Sequence, residues 1–189
     1  MKVIKLGGSL MSDMQTLTAC LNTIKHYEQD HIVIVPGGGM FADQVRKSQQ
    51  QWGFDDKTAH HMALLAMQQM ALLLASISKS FKVAETVASI QQAWLQTSVV
   101  IWSPCIKQLD AAGIQASWEV SSDSLAAWLA GQLKVSALVL VKSADIASAM
   151  DIQSMQKQGV LDQAFADFVD NASFKVTVIN KYDFNRHLF

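Results

Sequence analysis

Cysteine, proline and tyrosine are scarce in this chain, with two of each in 189 residues, and only 16% of the residues are charged. Cys20 and Cys105 lie far apart, with no CxxC pair or histidine-rich neighbour, so neither a disulfide framework nor a zinc site is indicated. They are expected to be reduced, structural thiols in a cytoplasmic protein. A net charge of -1 provides no basic field for nucleic acid, and the five tryptophans are not interleaved with Lys or Arg. The longest apolar stretch, 62–77, is broken by Gln68 and Gln69 and falls short of the ~20 residues a membrane span needs. Lys2 and Lys5 at the N-terminus interrupt any signal-peptide-like apolar core. A soluble protein with neither nucleic-acid nor membrane partners is expected. GxxxxGK[ST], GxGxxG and GxSxG are all absent, so P-loop, dinucleotide and hydrolase-elbow readings lack their key residues.

What the chain does contain is a succession of short apolar strands that run into turns. MKVIKLGGSL (1–10) reads as a strand, a Gly7-Gly8-Ser9 turn and a helix capped by Ser12 or Asp13. Two glycines let backbone amides approach a ligand, a following helix adds its dipole, and Lys5 at the strand's end supplies full positive charge, a set suited to phosphate. After a helix over 14–27, HIVIVPGGG repeats the arrangement: an apolar run over 32–35 of the kind buried in a parallel sheet, then Pro36, Gly37, Gly38 and Gly39, then a helix over 41–51. Ligands of open α/β sheets bind at such strand ends.

A long Ala/Met/Leu helix follows over 57–79, with Asp55 and Asp56 before it and His60 and His61 in its first turns, within reach of a ligand on the glycine turns. Further strands are expected at 98–102, 135–141 and 175–179. Between them come a turn over 109–115, a helix over 125–133 opened by Ser121, Ser122 and Asp123, and a mostly helical 150–169. The sum is one domain, 1–189, with a three-layer α/β/α fold on a largely parallel sheet. Its strand ends carry Lys5, two glycine turns, Asp123, Lys142 and Asp145. Phosphoryl transfer needs amides and lysines to bear the charge that spreads over the transferred group, and a carboxylate to orient the lysines or a metal.

These residues resemble the amino acid kinase (aspartate/glutamate/uridylate kinase) superfamily. KLGGSL (5–10) is similar to its opening phosphate motif, VPGGG (35–39) to the second glycine turn that holds the acceptor, and LVLVKSAD (138–145) to its nucleotide-side strand. More narrowly, AHHMALLAMQQM (59–70) and SWEVSSDSLAAWLA (117–130) resemble the small archaeal and methylotroph branch of aminomethylfuran phosphate kinases in methanofuran biosynthesis. The resemblance implies a kinase using ATP and Mg2+ on a small anionic metabolite, commonly as a homo-oligomer. It implies Lys5, Asp123 and Lys142 as catalytic, with Asp123 holding the lysines in register. Gly7, Gly8, Ser9, Gly37, Gly38, Gly39, Asp43, Arg46, Asp55, His60 and His61 would bind phosphate or substrate, and Lys142 and Asp145 the nucleotide. Asp145-Ile146 stands where the family has Asp-Gly, Asn180-Lys181 where it has Asn-Gly, and a later glycine-lysine segment has no counterpart. Lys142 and Lys157 are the two candidates for the missing lysine. The alternatives are a non-catalytic relative that keeps the acceptor pocket, and a generic flavodoxin-like binding domain in which Lys5 would not matter.

Overall fold

The computed structural model describes residues 1–27, 30–146 and 150–187. Its six strands are β1 (Lys2–Leu6), β2 (Ile32–Pro36), β3 (Lys82–Ala84), β4 (Val99–Trp102), β5 (Ala137–Lys142) and β6 (Lys175–Asn180). They form one sheet in the order β3-β4-β2-β1-β5-β6, with every neighbouring pair parallel. Entirely parallel pairing explains the continuous apolar runs, because both faces of such a sheet are covered. The helices are α1 (Met14–Lys25), α2 (Gly39–Trp52), α3 (Asp56–Ile77), α4 (Val87–Ala93), α5 (Ile106–Ala111), α6 (Ser122–Leu133), α7 (Ile152–Lys157), α8 (Phe165–Val169) and α9 (Phe184–His187).

Strand alternation divides the core in two. Ile4, Leu6, Ile34, Val139 and Val141 point to the side where α1 inserts Leu17, Leu21 and Ile24. Val3, Val33, Val35, Leu138 and Leu140 point to the other, against Leu125, Leu129 and Leu133 of α6. Lys5 falls two residues after Val3 and Lys142 two after Leu140, so the period of two sends both lysines to the α6 side of the sheet. Paired Cα registers run Lys5↔Leu140 and Leu6↔Val141, which leaves the lysines at the carboxyl ends of adjacent strands. The chain steps from β1 to β2 on one side and reaches β5 on the other, so these ends flank a topological switch point.

Several elements differ from the sequence reading. β3 is a three-residue edge strand with two exposed positions, too short and too wet to show as an apolar run. Of the turn expected over 109–115, residues 109–111 belong to α5, where only Leu109 is buried, and the chain turns after it, at Gly113 with φ +71°. The helical stretch expected over 150–169 is two helices parted at Gly159, φ +69°. A 3-10 turn over Gly8–Ser12 precedes α1, whose cap is Asp13, accepting from the Thr16 amide at 3.0 Å. After β6, residues 181–187 form a 3-10 turn and α9, which buries Phe184 against the α1 side. Burial pushes the Cys20 thiol up to about 11, consistent with an inert core cysteine.

α3 is long and apolar enough, by length and composition, to cross a membrane. In this fold its apolar face is used against α2, β2, β3 and β4. α6 is the more deeply enclosed helix: Leu125, Ala126, Ala127, Leu129, Ala130 and Leu133 are all buried. Leu129, fully buried, should therefore be costly to truncate. Leu129→Ala is expected to lower the unfolding free energy by about 2 to 5 kcal/mol, measured as a fall in the urea midpoint with an unchanged slope.

Candidate active site

Three charges meet where β1, β5 and α6 converge. Lys5 and Asp123 are 4% and 3% exposed, which for charged side chains demands partners. Lys5 Nζ lies 2.7 Å from Asp123 Oδ1, an ion pair whose angles fall outside hydrogen-bond geometry, while Lys142 Nζ donates a hydrogen bond to Oδ2. Burial opposes ionisation of Asp123, but the adjacent Lys5 and Lys142 ammonium groups outweigh it and hold the carboxyl below its ordinary value. Burial, with the positive Lys5 beside it, lowers Lys142 to about 8. Two cations against one anion leave an excess positive charge in a nearly dry site, an arrangement that would act strongly on an anion.

The two glycine turns press against one another beside this cluster. A Cβ on Gly8 would stand 2.5 Å from the Gly39 amide nitrogen, and one on Gly37 would stand 2.6 Å from that of Gly8. Gly39 also holds φ +53°. No side chain caps α2 at Gly38, so the amides of its first turn and the positive end of its dipole are left for an anion. Gly7 acts as backbone structure, its amide donating to the Val141 carbonyl at 3.0 Å and prolonging the β1–β5 ladder. Ser9 hydrogen-bonds Ser143, just past Lys142, at 2.9 Å.

A cleft of about 260 Å³ opens from the glycine turns, bounded by Gly8, Ser9, Gly37, Gly38 and Gly39 on one side. Asp43 and Arg46 of α2 and His60 of α3 also line it. His60 is buried, and desolvation lowers its pKa, so the imidazole is neutral in the ordinary range; its Nδ1 lies 3.3 Å from the Ser117 carbonyl. Trp118, Ser121 and Ser122 complete the wall and were missed from sequence. Trp118 carries the Arg46 guanidinium 3.8 Å from its ring centroid and donates to Gln49 Oε1 at 2.7 Å, so the arginine rests on a fixed aromatic plate.

Other expected residues are not brought there. Asp55 is the exposed cap of α3, with its carboxylate accepting from the amide and hydroxyl of Thr58, both at 2.8 Å. Asp56 accepts from Gln49 at 2.9 Å. His61 points away from the cleft to Asp110, 3.1 Å distant. Asp145 is exposed beyond β5, and Lys157 is exposed in the last turn of α7. Of the two candidate lysines, Lys142 is therefore the one that joins Lys5. Lys181 is held by Asp13 at 2.7 Å, a pairing that lowers Asp13 to about 2.

The amino acid kinase family model matches residues 1–149. The chain belongs to the amino acid kinase family. Among curated proteins it is 28% identical over 145 residues to the [5-(aminomethyl)furan-3-yl]methyl phosphate kinase of Methanocaldococcus jannaschii, covering 77% of this chain and 67% of that one. It is 29% identical over 76 residues to the acetylglutamate kinase of Colwellia psychrerythraea, covering 40% of this chain and 28% of that relative. The uridylate kinase structure from Archaeoglobus fulgidus superposes with a TM-score of 0.74 at 20% identity, over 98% of this chain and 94% of that one. UMP kinase from Ureaplasma parvum gives 0.70 at 16% identity, over 97% and 91%. The amino acid kinase fold that the resemblance implied is thus the observed one, and the flavodoxin-like alternative falls away.

Lys142 sets a pH dependence for this family member. Its folded pKa is about 8, below the ordinary 10.5, so between those values the unfolded chain binds the extra proton. This group's contribution to stability therefore rises with pH across that window. Anion binding runs the other way, because the ammonium is lost as pH passes about 8. Affinity for inorganic pyrophosphate, measured by calorimetry, should fall through that pH in the wild type. In Lys142→Arg the fall should vanish, since guanidinium stays charged.

Proposed function

We propose that this protein transfers the terminal phosphoryl group of ATP to a small anionic acceptor held in the cleft between the glycine turns. The observation that carries this reading is the Lys5–Asp123–Lys142 cluster, buried at Lys5 and Asp123 and largely so at Lys142, which sits beside two uncapped glycine turns. Lys5 and Lys142 stabilise charge that grows on the transferred group, and the amides around Gly8 and Gly39 cradle it. Asp123 keeps the two ammonium groups together while no substrate is present, the role that the family resemblance implies for it.

The acceptor in this reading is of the aminomethylfuran phosphate type, as in the kinase relative's name. Arg46 then faces an anion and Asp43 an amine. Asp55, capped onto Thr58, takes no part in this version. The family implies ATP as donor and usually Mg2+. Among the described residues no group of three His, Cys, Asp or Glu is placed to hold a metal ion, and both Asp123 oxygens face lysines. A protein-held magnesium centre does not fit these residues, and no step is assigned to one. A homo-oligomer in the cytoplasm completes the proposal; exposed Leu65, Leu72 and Ile77 on α3 supply apolar surface for association.

The second reading is a non-catalytic relative that binds a metabolite. It draws on Asp145-Ile146 in place of Asp-Gly and on the absence of a later glycine-lysine segment. ATP calorimetry with magnesium, followed by turnover of an amine-bearing phosphate acceptor, separates the two. The kinase binds ATP; undetectable ATP and ADP affinity would leave the second reading standing. Lys5→Ala is expected to remain folded and lose kcat far more than acceptor affinity, because the charge it meets develops in the transition state. Asp123→Asn keeps size and helix compatibility and should lose on the order of 10² in kcat, ~3 kcal/mol of preorganisation. Full activity in Asp123→Asn would reject the role.

A further inference from the structure

A second carboxylate lies behind the cluster and makes all its described hydrogen bonds to one helix turn. Asp162, in the turn between α7 and α8, accepts from the Ser121 amide at 3.0 Å and hydroxyl at 2.7 Å. It also accepts from the Ser124 amide at 3.1 Å and from the Ser124 hydroxyl. Ser121 caps α6 and Ser124 is fully buried, so these four bonds bracket Asp123 on both sides. Together they fix the position of the turn and its rotation about the helix axis.

The support is itself anchored. Gln156 of α7 donates to the carbonyls of Asp162 at 3.1 Å and Gln163 at 2.6 Å, and Gln163 returns a bond to the Gln156 carbonyl at 3.0 Å. The Ala164 amide donates to Glu119 at 3.1 Å, and Phe165 is wholly buried. A side chain that must meet two ammonium groups tolerates little movement, since a displacement of ~1 Å near a reacting centre costs on the order of 10² in rate.

We propose that Asp162 is a positioning residue: by gripping the first turn of α6 it sets Asp123 between Lys5 and Lys142. This rests on reading the cluster as a phosphoryl-transfer centre. Asp162 also adds a negative charge near Lys142, which otherwise faces Lys5 and Asp123, and so helps keep that ammonium protonated. Asp162→Asn retains the shape but cannot accept all four bonds, because its amide nitrogen is a donor.

The test compares wild type, Asp162→Asn and Ser124→Ala in the full chain. It measures thermal midpoint, kcat and KM for transfer from ATP to aminomethylfuran phosphate, and the titration of Lys142 by 15N-lysine NMR, assigned with Lys142→Arg. Asp162→Asn is expected to melt within a few degrees of wild type, lose roughly tenfold to 10²-fold in kcat with KM nearly constant, and titrate Lys142 at lower pH. Ser124→Ala, which keeps the Asp162 charge but removes one donor, should lose kcat severalfold. Wild-type kcat together with an unmoved Lys142 titration in Asp162→Asn would overturn the proposal, as would a kcat loss that simply follows the thermal midpoint. If Asp162→Asn does not fold, an unchanged kcat and titration in Ser124→Ala overturns it. If the wild type transfers no phosphate, the kinase reading fails on its own evidence; an unmoved Lys142 titration in Asp162→Asn would then separately overturn the role given to Asp162.

Discussion

The rest of the site depends on keeping three charges out of water. Two lysines and one aspartate beneath the surface carry a large desolvation cost, which is tolerable only while all three stay in contact. The excess is one positive charge, so the cluster is complementary to an anion and not to itself. Lys142 registers this tension, drawn down to about 8 by burial and by Lys5, while Asp123 stays ionised despite its own burial. A structural ion pair would be expected to balance; a deficit of negative charge is what a site for an anion would need.

The fold meets that requirement with backbone geometry. Strand alternation turns Lys5 and Lys142 to one face, and parallel pairing of β1 with β5 places their ends side by side. α6, buried nearly all round, brings its first turn up to them. On the far side of the lysines the glycine turns approach so closely that a methyl group at Gly8 would collide with the Gly39 backbone. Lysines, amides and helix dipole thus converge from rigid elements, which is what preorganised electrostatics demands.

How far this was legible in the sequence follows from the range of each signal. Lys5, Lys142 and the glycine turns could be read because strand periodicity and Gly-Gly pairs are local. Asp123 could be placed because serines beside it relieve it of capping. His60 and His61 could not be separated: neighbours on a helix point about 100° apart, and both sit among apolar residues, yet one lines the cleft and the other meets Asp110. Asp55 looked like a substrate carboxylate but serves as a cap, a use identical in sequence. Asp162 gave no signal at all, because its partners lie 38 to 41 residues earlier. Trp118 was invisible for the same reason, since Arg46 is brought to it only by the packing of α2.

The departures from the family pattern acquire a physical meaning once the lysines are located. Where a glycine-lysine segment is missing, another cation near the strand ends would be the natural replacement, and Lys181 follows β6 directly. Its ammonium is taken by Asp13, the cap of α1, and that pairing ties the end of the sheet to the helix after the first glycine turn. Asn180 is likewise occupied, donating to the Ala144 carbonyl at 2.9 Å and accepting from the Tyr182 amide at 2.9 Å. Of the two residues at the family's Asn-Gly position, Asn180 is thus committed to holding the turn that follows Lys142 and Ser143, and Lys181 to the cap of α1. One side of the lysine cluster is thus built from glycine backbone and the α2 terminus, whereas the other is braced by side chains already committed to partners of their own, Asn180 to the turn after β5 and Lys181 to Asp13.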